Sequence, residues 1–368
     1  MTAVLRTAGV VFAFIAVLLL YLFFWPVPID PVAWDAPADR GLVDPFEPND
    51  RLRKARLVDL GSHEGPEDIA GGPDGLIYTG TSDGKVIRFR PDGSDVEVFA
   101  DVGGRPLGLE FDAAGNLLIA NAYLGLQRVS PAGEVEVLTD SYRGEPINYA
   151  DDVAVADNGV IYFSDASAKF GAMKSGGSYE ASLYDLMEHG GHGSIFSYDP
   201  ASGETERVVA NLNFANGVAI SDDQLFLVFN ETGTYRVMRY WLDGPRRGTT
   251  DVLIDNLPGF PDNVNNGLQG RFWVGLVAPR NQLLDDMSDK PWLRKVVQRL
   301  PAFVRPKAVP SSHVIAINAK GEVLMNLQDT GARQPALTGV YESADTIWLS
   351  SLFGSQVGRL DKRDLANP

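Results

Sequence analysis

The chain has 368 residues, 45% hydrophobic and 22% charged, which is the composition of a globular protein with ample material for a core. Its formal net charge of −16 excludes nucleic acid as a partner, because phosphates would be repelled. With no cysteine there are no disulfides, Fe–S clusters, thiolate zinc sites or cysteine nucleophiles, and four histidines (His63, His189, His192, His313) tightly limit any histidine-based scheme.

In chain order, the first element is residues 8–25, AGVVFAFIAVLLLYLFFW, which carry no charge and are long enough to span a hydrocarbon core. Arg6 precedes the run, and Asp30, Asp35 and Asp39 follow it. The positive-inside rule therefore predicts a cytoplasmic N-terminus and a body exported to the periplasmic or extracellular/lumenal side. Tyr21, Phe24 and Trp25 are placed to form an interfacial aromatic belt. A cleaved signal peptide is the competing reading, but no small-x-small site directly follows the run, so a retained anchor is expected.

After residue 60 a unit recurs six times: an Asp/Asn/Gly turn, a β-branched or aromatic run, small residues, then a second run. Examples are DGLIYTGTSDGKVIRFRPDG, NGVIYFSDASAKF and DTIWLSSLFGSQVGRLDKRD. The units' first strands are expected near Leu76, Leu117, Val160, Leu225, Phe272 and Ile347. Uninterrupted spacing is that of a four-stranded propeller blade, about 40–47 residues. The expected fold is thus all-β, a six-bladed propeller with a central metal site, preceded by one transmembrane helix. Residues 1–26 form a stub and signal anchor, 27–52 a proline-rich tether, and 53–368 the propeller, with ARLVDLG near 55–61 closing the ring. Insertions fall at 168–192 and 280–310. The second predicts a short basic amphipathic helix, capped by Ser288, with Trp292, Val296, Val297 and Leu300 apolar and Arg294, Lys295 and Arg299 polar. Such a helix packs on the propeller, meets a membrane surface or covers the site.

Loops that lead into the innermost strands converge on a propeller's axis, so residues recurring there meet despite wide separation. Four such approaches are GPEDIA with Glu67, NYADDVAV with Asp151, NFANGVAI with Asn216 and GFPDNV with Asp262. Any one of them alone reads as a turn or cap residue. In register, the four supply oxygen ligands, which suit a hard cation and above all Ca2+. Without a cation, three carboxylates and an amide at one axis would be costly to bury.

The chain from about residue 50 to 363 resembles the strictosidine synthase-like branch, also typed by adipocyte plasma membrane-associated protein, of the calcium-dependent phosphotriesterase superfamily. Paraoxonases and senescence-marker/gluconolactonase proteins share that superfamily. The resemblance is carried by GRPLGLEFD, YFSDASAKF, LMEHGGHGSIFSYDP, RYWLDGPRRGT, LPGFPDN and DKPWLRK. It implies a six-bladed propeller with a channel ion, with Glu67, Asn216 and Asp262 on metal positions and Asp151 where relatives commonly carry Asn. It also places Asp68 and Asp152 where paraoxonases hold a second, structural calcium. Two departures bear on activity. Leu107 stands where paraoxonases have a His, and Pro335 stands near the place of a strictosidine synthase Glu.

The expected function is metal-dependent hydrolysis of a small-molecule ester or lactone, arylesterase- or lactonase-like, with the ion polarising the carbonyl. Asp262, then Asp151, are the candidate bases or nucleophiles, and Asn216 and Asn263 are candidates to orient substrate. Tyr123, Tyr149, Phe214 and Phe260 are expected to wall the pocket, unless they are ordinary blade packing. His189 and His192 read as surface or hydrogen-bonding residues. The alternatives are a membrane-anchored binding propeller whose calcium is structural, favoured by Leu107, and a strictosidine synthase-type carbon–nitrogen lyase.

Overall fold

The computed structural model describes residues 2–305 and 307–365, so the last three residues of the expected 53–368 domain lie outside the described residues. Six four-stranded antiparallel sheets form the blades of one propeller. The innermost strands are Ile69–Gly71, Pro106–Phe111, Ala150–Val155, Ala215–Ile220, Gly259–Asn266 and Leu337–Glu342. The strands expected near Leu76, Leu117, Val160, Leu225, Phe272 and Ile347 are the second strands, beginning at Ile77, Leu117, Ile161, Phe226, Phe272 and Thr346. The turn that joins first to second strand recurs, with Gly75, Gly115 and Gly159 at φ of 80°, 81° and 86° closing on the carbonyl three residues back. Positive φ is why the repeat carries glycine there. The sixth blade takes its outermost strand, Arg56–Asp59, from the start of the domain, paired with Gln356–Asp361. That strand closes the ring where ARLVDLG was expected to.

Each blade is half-buried against the next, and an apolar cluster fills every junction. Tyr78, Leu109 and Leu117 serve blades one and two, Phe163 and Leu118 two and three, and Ile195 and Phe229 three and four. Val228 and Val274 serve four and five, Trp273 and Leu349 five and six, and Phe89 and Trp348 six and one. Trp273 and Trp348 are among the largest fully buried side chains. Truncating such a side chain to alanine typically costs about 3–5 kcal/mol.

Helix α1 (Thr2–Phe24) precedes the body, and its Leu5–Phe24 stretch is long and apolar enough to cross a bilayer. Residues 27–52 are not a free tether. Ile29 is buried, Val32 N–H donates to Glu188 O at 2.8 Å and Trp34 N–H to Ser288 O at 3.1 Å. Asn49 Nδ2 bonds Asn326 O at 3.2 Å, and Leu52 is buried against blades five and six. The segment is a strap, because its apolar residues find blade and cap surfaces rather than water.

The two insertions leave blades three and five at the same point, between second and third strands. They carry α2 (Ser178–Glu188), α3 (Gln282–Asp286) and α4 (Pro291–Arg299). Pro291 is the first residue of α4 as expected, but Lys290 holds the cap position and Ser288 does not. The amphipathic pattern is also inverted at three places: Arg294 is fully buried, Arg299 is buried, and Trp292 is 57% exposed. Arg294 earns its burial through carbonyl partners, Met187 O at 3.0 Å, Glu188 O at 3.3 Å, Ser288 O at 3.0 Å and Val32 O. A guanidinium carries five donors; here the two terminal nitrogens meet carbonyls from the end of α2, the 27–52 segment and Ser288, while the buried Nε has no partner.

The inner strands share one irregularity. In blades two to six the register to the second strand slips between Pro106/Leu109, Ala150/Val153, Ala215/Val218, Pro261/Val264 and Leu337/Val340. Each slip is a β-bulge, which re-aims the two residues inside it. Those pairs are Leu107-Gly108, Asp151-Asp152, Asn216-Gly217, Asp262-Asn263 and Thr338-Gly339; Glu67-Asp68 precede the first inner strand in the same way. At the second position polar side chains and glycines alternate around the ring. A Cβ on Gly108 would stand 2.2 Å from Asp152 Oδ1, and one on Gly217 would stand 2.1 Å from Val264 N. Each glycine is the space that a neighbouring blade fills. Gly217→Ala, which meets backbone rather than a mobile side chain, is expected to lose about 1–3 kcal/mol in urea unfolding; unchanged stability would contradict this packing.

Candidate functional site

The first bulge positions bring Glu67, Asp151, Asn216 and Asp262 into the channel, only 2%, 3%, 2% and 8% exposed. Asn216 Nδ2 donates to Asp262 Oδ1 at 2.5 Å, which locks two of the four together across adjacent blades. Blades two and six supply Leu107 and Thr338 instead, and Thr338 Oγ1 is spent on Glu67 O.

The charges feel one another. Burial, and then the Asp262 and Asp68 charges, hold the Glu67 carboxyl well above its ordinary range. Burial, then Glu67 and Asp262, do the same for Asp151. Burial raises Asp262 to about 7, with the Asn216 hydrogen bond opposing it. Desolvation penalises the charged form and like charges add to the penalty. Four buried oxygens in this neighbourhood lack any hydrogen-bond partner: Glu67 Oε2, Asn216 Oδ1, Asn263 Oδ1 and Asn230 Oδ1. Buried acceptors are rarely left unpaired. Carboxylate and amide oxygens of this kind suit a hard divalent cation. Among the described residues no three Asp, Glu or His groups are placed to hold a metal ion by themselves.

The second bulge positions do another job. Asp68 Oδ2 accepts from Leu109 N–H at 2.9 Å, joining blade one to blade two. Asp152 Oδ2 accepts from Val218 N–H at 2.8 Å, joining three to four. In blade five this staple comes from Asn265, just past the bulge: its Oδ1 accepts from Val340 N–H at 2.8 Å, joining five to six, and its amide reaches Asp68 Oδ1 at 3.1 Å. Asn263 differs: its Nδ2 donates to Glu67 O at 3.2 Å, and its oxygen is one of the four left open.

Two residues of the centre were not singled out from sequence. Asn230, on the second strand of blade four, donates to Asp262 O at 2.5 Å. Nothing in its stretch, LVFNET, distinguishes it from a strand-end residue. Arg105 lies just before the inner strand of blade two, is 5% exposed and donates to Gly65 O at 2.8 Å. Its charge opposes the upward shift of Glu67. Its signal was the Arg of GRPLGLEFD.

Tyr149 and Phe214 meet edge to face at 5.4 Å and, with Tyr123, join Leu107 and α2 residues in one apolar cluster. Tyr149 OH donates to Ser178 O at 2.8 Å, which fastens α2 above it. Phe260 belongs elsewhere: it packs on Tyr235, ring centroids 5.0 Å apart, in the core between blades four and five. The four aromatics therefore form no single wall. A depression of about 340 Å3 lies beside the first group, lined by Tyr123, Asn148, Gly171, Met173 and Lys174 among others. His189 stacks on Trp34 at 4.1 Å and burial lowers its pKa to about 3, while His192 meets Glu188 at 2.7 Å. Both histidines are engaged within the cap, as hydrogen-bonding and packing residues.

The strictosidine synthase family profile matches residues 151–245, and the strictosidine synthase-like N-terminal profile matches residues 44–89. Protein strictosidine synthase-like 6 of Arabidopsis thaliana is 34% identical over 317 residues, covering 84% of this chain and 82% of its own length. The adipocyte plasma membrane-associated protein of Salmo salar is 31% identical over 370 residues, covering 94% and 86%. Among solved structures, a gluconolactonase from Xanthomonas campestris superposes with a TM-score of 0.60 at 18% identity, covering 83% of this chain and 89% of that one. Regucalcin, a calcium-binding protein from Agrobacterium tumefaciens, gives 0.58 at 16%, covering 83% and 92%. At these identities the structural likeness is one of fold.

The raised carboxyls set a pH dependence. Folding raises Asp262 and Asp165 to about 7, so the unfolded chain gives up these protons first. Stability of cation-free protein is therefore present at low pH and falls as pH rises from about 4 to about 7. Protons and cation compete for the same oxygens. The thermal shift on adding calcium is thus expected to be larger at pH 8 than at pH 5 in scanning fluorimetry, and the reverse order would refute the site.

Proposed function

The chain belongs to the strictosidine synthase-like family, and from that membership we propose a calcium-dependent hydrolase of esters or lactones, arylesterase- or lactonase-like, anchored to a membrane by α1. The observation that carries the proposal is the set of four unpartnered buried oxygens, on Glu67, Asn216, Asn230 and Asn263, together with the buried carboxyls of Asp151 and Asp262. Glu67, Asp151, Asn216 and Asp262, joined by Asn263, would hold the ion. Bound there, a hard cation supplies Lewis acidity to a carbonyl oxygen. The fold shared with a gluconolactonase and with the calcium-binding regucalcin supports this reading.

The protein's own groups account for the rest. Asp262 is the first candidate to take a proton from water or to attack the acyl carbon, held in place through Oδ1 by Asn216 Nδ2. Asp151 is the second. The buried Arg105 places positive charge beside Glu67 and tempers the acidity of the centre. Tyr149, Phe214 and Leu107 offer an apolar surface to an aryl or acyl group and keep water from it. Asp68 and Asp152 hold the blades in register through Leu109 and Val218.

Leu107, buried among those aromatics, favours a second reading in which the ion only pins the blades and the propeller binds without turnover. One set of assays separates the two. Full-length protein in detergent is expected to hydrolyse phenyl acetate or an aliphatic or sugar lactone, and to lose that turnover with chelator. Asp262→Asn should lower kcat/KM by about 100-fold or more. Calcium binding with no chelator-sensitive turnover on any substrate would establish the binding propeller. If Asp262→Ala left bound calcium and Tm unchanged, the ligand assignment would be wrong.

The anchor reading puts the N-terminus in the cytoplasm and the propeller on the exported side. N-terminal sequencing of the mature protein should find α1 retained, and a start after residue 25 would show cleavage.

A further inference from the structure

Helix α1 is not merely attached to the body; its end is clasped by the cap. Arg299 Nη1 donates to Leu22 O at 3.0 Å and Nε to Trp25 O at 2.5 Å. Tyr21 OH returns a bond to Arg299 O at 2.9 Å, and Phe23 stacks on Trp292 at 6.3 Å and 14°. A helix rises about 1.5 Å per residue, so all four contacts lie within one turn or so of the end of α1. When α1 crosses a bilayer, that end is at the headgroup level, and α4 is held there with it.

The surface that α4 and its continuation present at this level is made for such a place. Trp292, Phe303, Val304 and Val309 are 57%, 80%, 51% and 60% exposed. Residues 290–310 carry six Lys/Arg and no Asp/Glu, in a chain whose net charge is −16; Arg294 and Arg299 are buried, and Lys290, Lys295, Arg305 and Lys307 are the cations left at the surface. Exposed aromatic and aliphatic residues interleaved with cations are the signature of interfacial binding, and the cations match anionic headgroups.

The cap also stands over the channel mouth. Both insertions rise from the ends of second strands, beside the starts of the inner strands, where Ala150 pairs with Asp165 and Phe260 with Ala278. Arg294 ties α4 to the end of α2, and α2 packs on Tyr149, Phe214 and Leu107 beneath it. The axial oxygens and the lipid-facing residues are thus on the same side of the propeller, with the cap between them.

We propose that residues 292–305 and 307–309 seat in the headgroup layer of an anionic phospholipid bilayer beside α1, so that the channel mouth faces the membrane and draws amphipathic substrates from it. For the substrate class, long-chain esters or lactones, this rests on the hydrolase reading; the seating itself does not.

The chain has no cysteine, so single labels can be placed at will. Full-length protein is labelled with an environment-sensitive fluorophore at Phe303→Cys or Val309→Cys, with Val98→Cys on an outer strand as control. It is then reconstituted in phosphatidylcholine–phosphatidylglycerol nanodiscs. Emission at 303 and 309 should shift to the blue and be quenched by lipids spin-labelled near the headgroup, roughly threefold or more above the control. Water-like emission at 303 and 309, quenched no more than at 98, would overturn the proposal. Quenching undiminished in phosphatidylcholine-only discs would overturn its electrostatic part. With turnover established, Phe303→Asp should lower kcat/KM several-fold for a long-chain ester in the disc and leave soluble phenyl acetate untouched. An equal loss on both would overturn the membrane route. Absence of turnover on both, in wild type, would defeat the hydrolase reading while the fluorescence result still decides the seating.

Discussion

Mutual repulsion among buried carboxyls is the constraint on which this protein turns. Glu67, Asp151 and Asp262 come from blades one, three and five, far apart in sequence, and each is nearly sealed from water. Left alone, such groups would separate or take up protons. They stay because Asp151 and Asp262 belong to bulges in inner strands, and Glu67 to the approach to one, that cannot move without breaking a blade. Those strands are in turn held by a closed ring, whose last sheet needs Arg56–Asp59 to be complete. The local strain of the centre is thus carried by the global topology.

The ring is also divided by role between neighbouring positions. One residue of each bulged pair faces the centre. The next either reaches the following blade, as Asp68 and Asp152 do, or is a glycine that admits its neighbour. Removing a channel oxygen and removing a blade staple should therefore have different signatures, the first in ligand affinity and the second in folding.

Much of this was legible in the sequence, and the exceptions have physical causes. The blades could be read because each repeats a turn glycine and an apolar run at fixed spacing. Glu67, Asp151, Asn216 and Asp262 could be read because each stands two residues before an apolar residue of an inner strand, Ile69, Val153, Val218 or Val264. The bulges could not be read, since they are a matter of register between strands, and so the pairing of Asp262 with Asn263 looked like a first residue and its neighbour. Asn230 was hidden because it acts from a second strand, at a place where other blades carry Ser164 or Ser350, so residue type there marks no site. Arg294 was misplaced because periodicity counts every arginine as polar, whereas carbonyls from α2, the strap and Ser288 converge on its two terminal nitrogens. The strap itself looked like a linker because proline and aspartate dominate it, and its few apolar anchors, Ile29, Trp34 and Leu52, lie far apart.

That strap gives the molecule a mechanical character. A pull on α1 meets first the Arg299 clasp, then the attachments of Val32, Trp34 and Asn49 in order along the chain, and only afterwards the strand Arg56–Asp59. Such a pull is thus taken up in steps. The strap works as a shock absorber in series, sparing the one strand whose loss would open the ring.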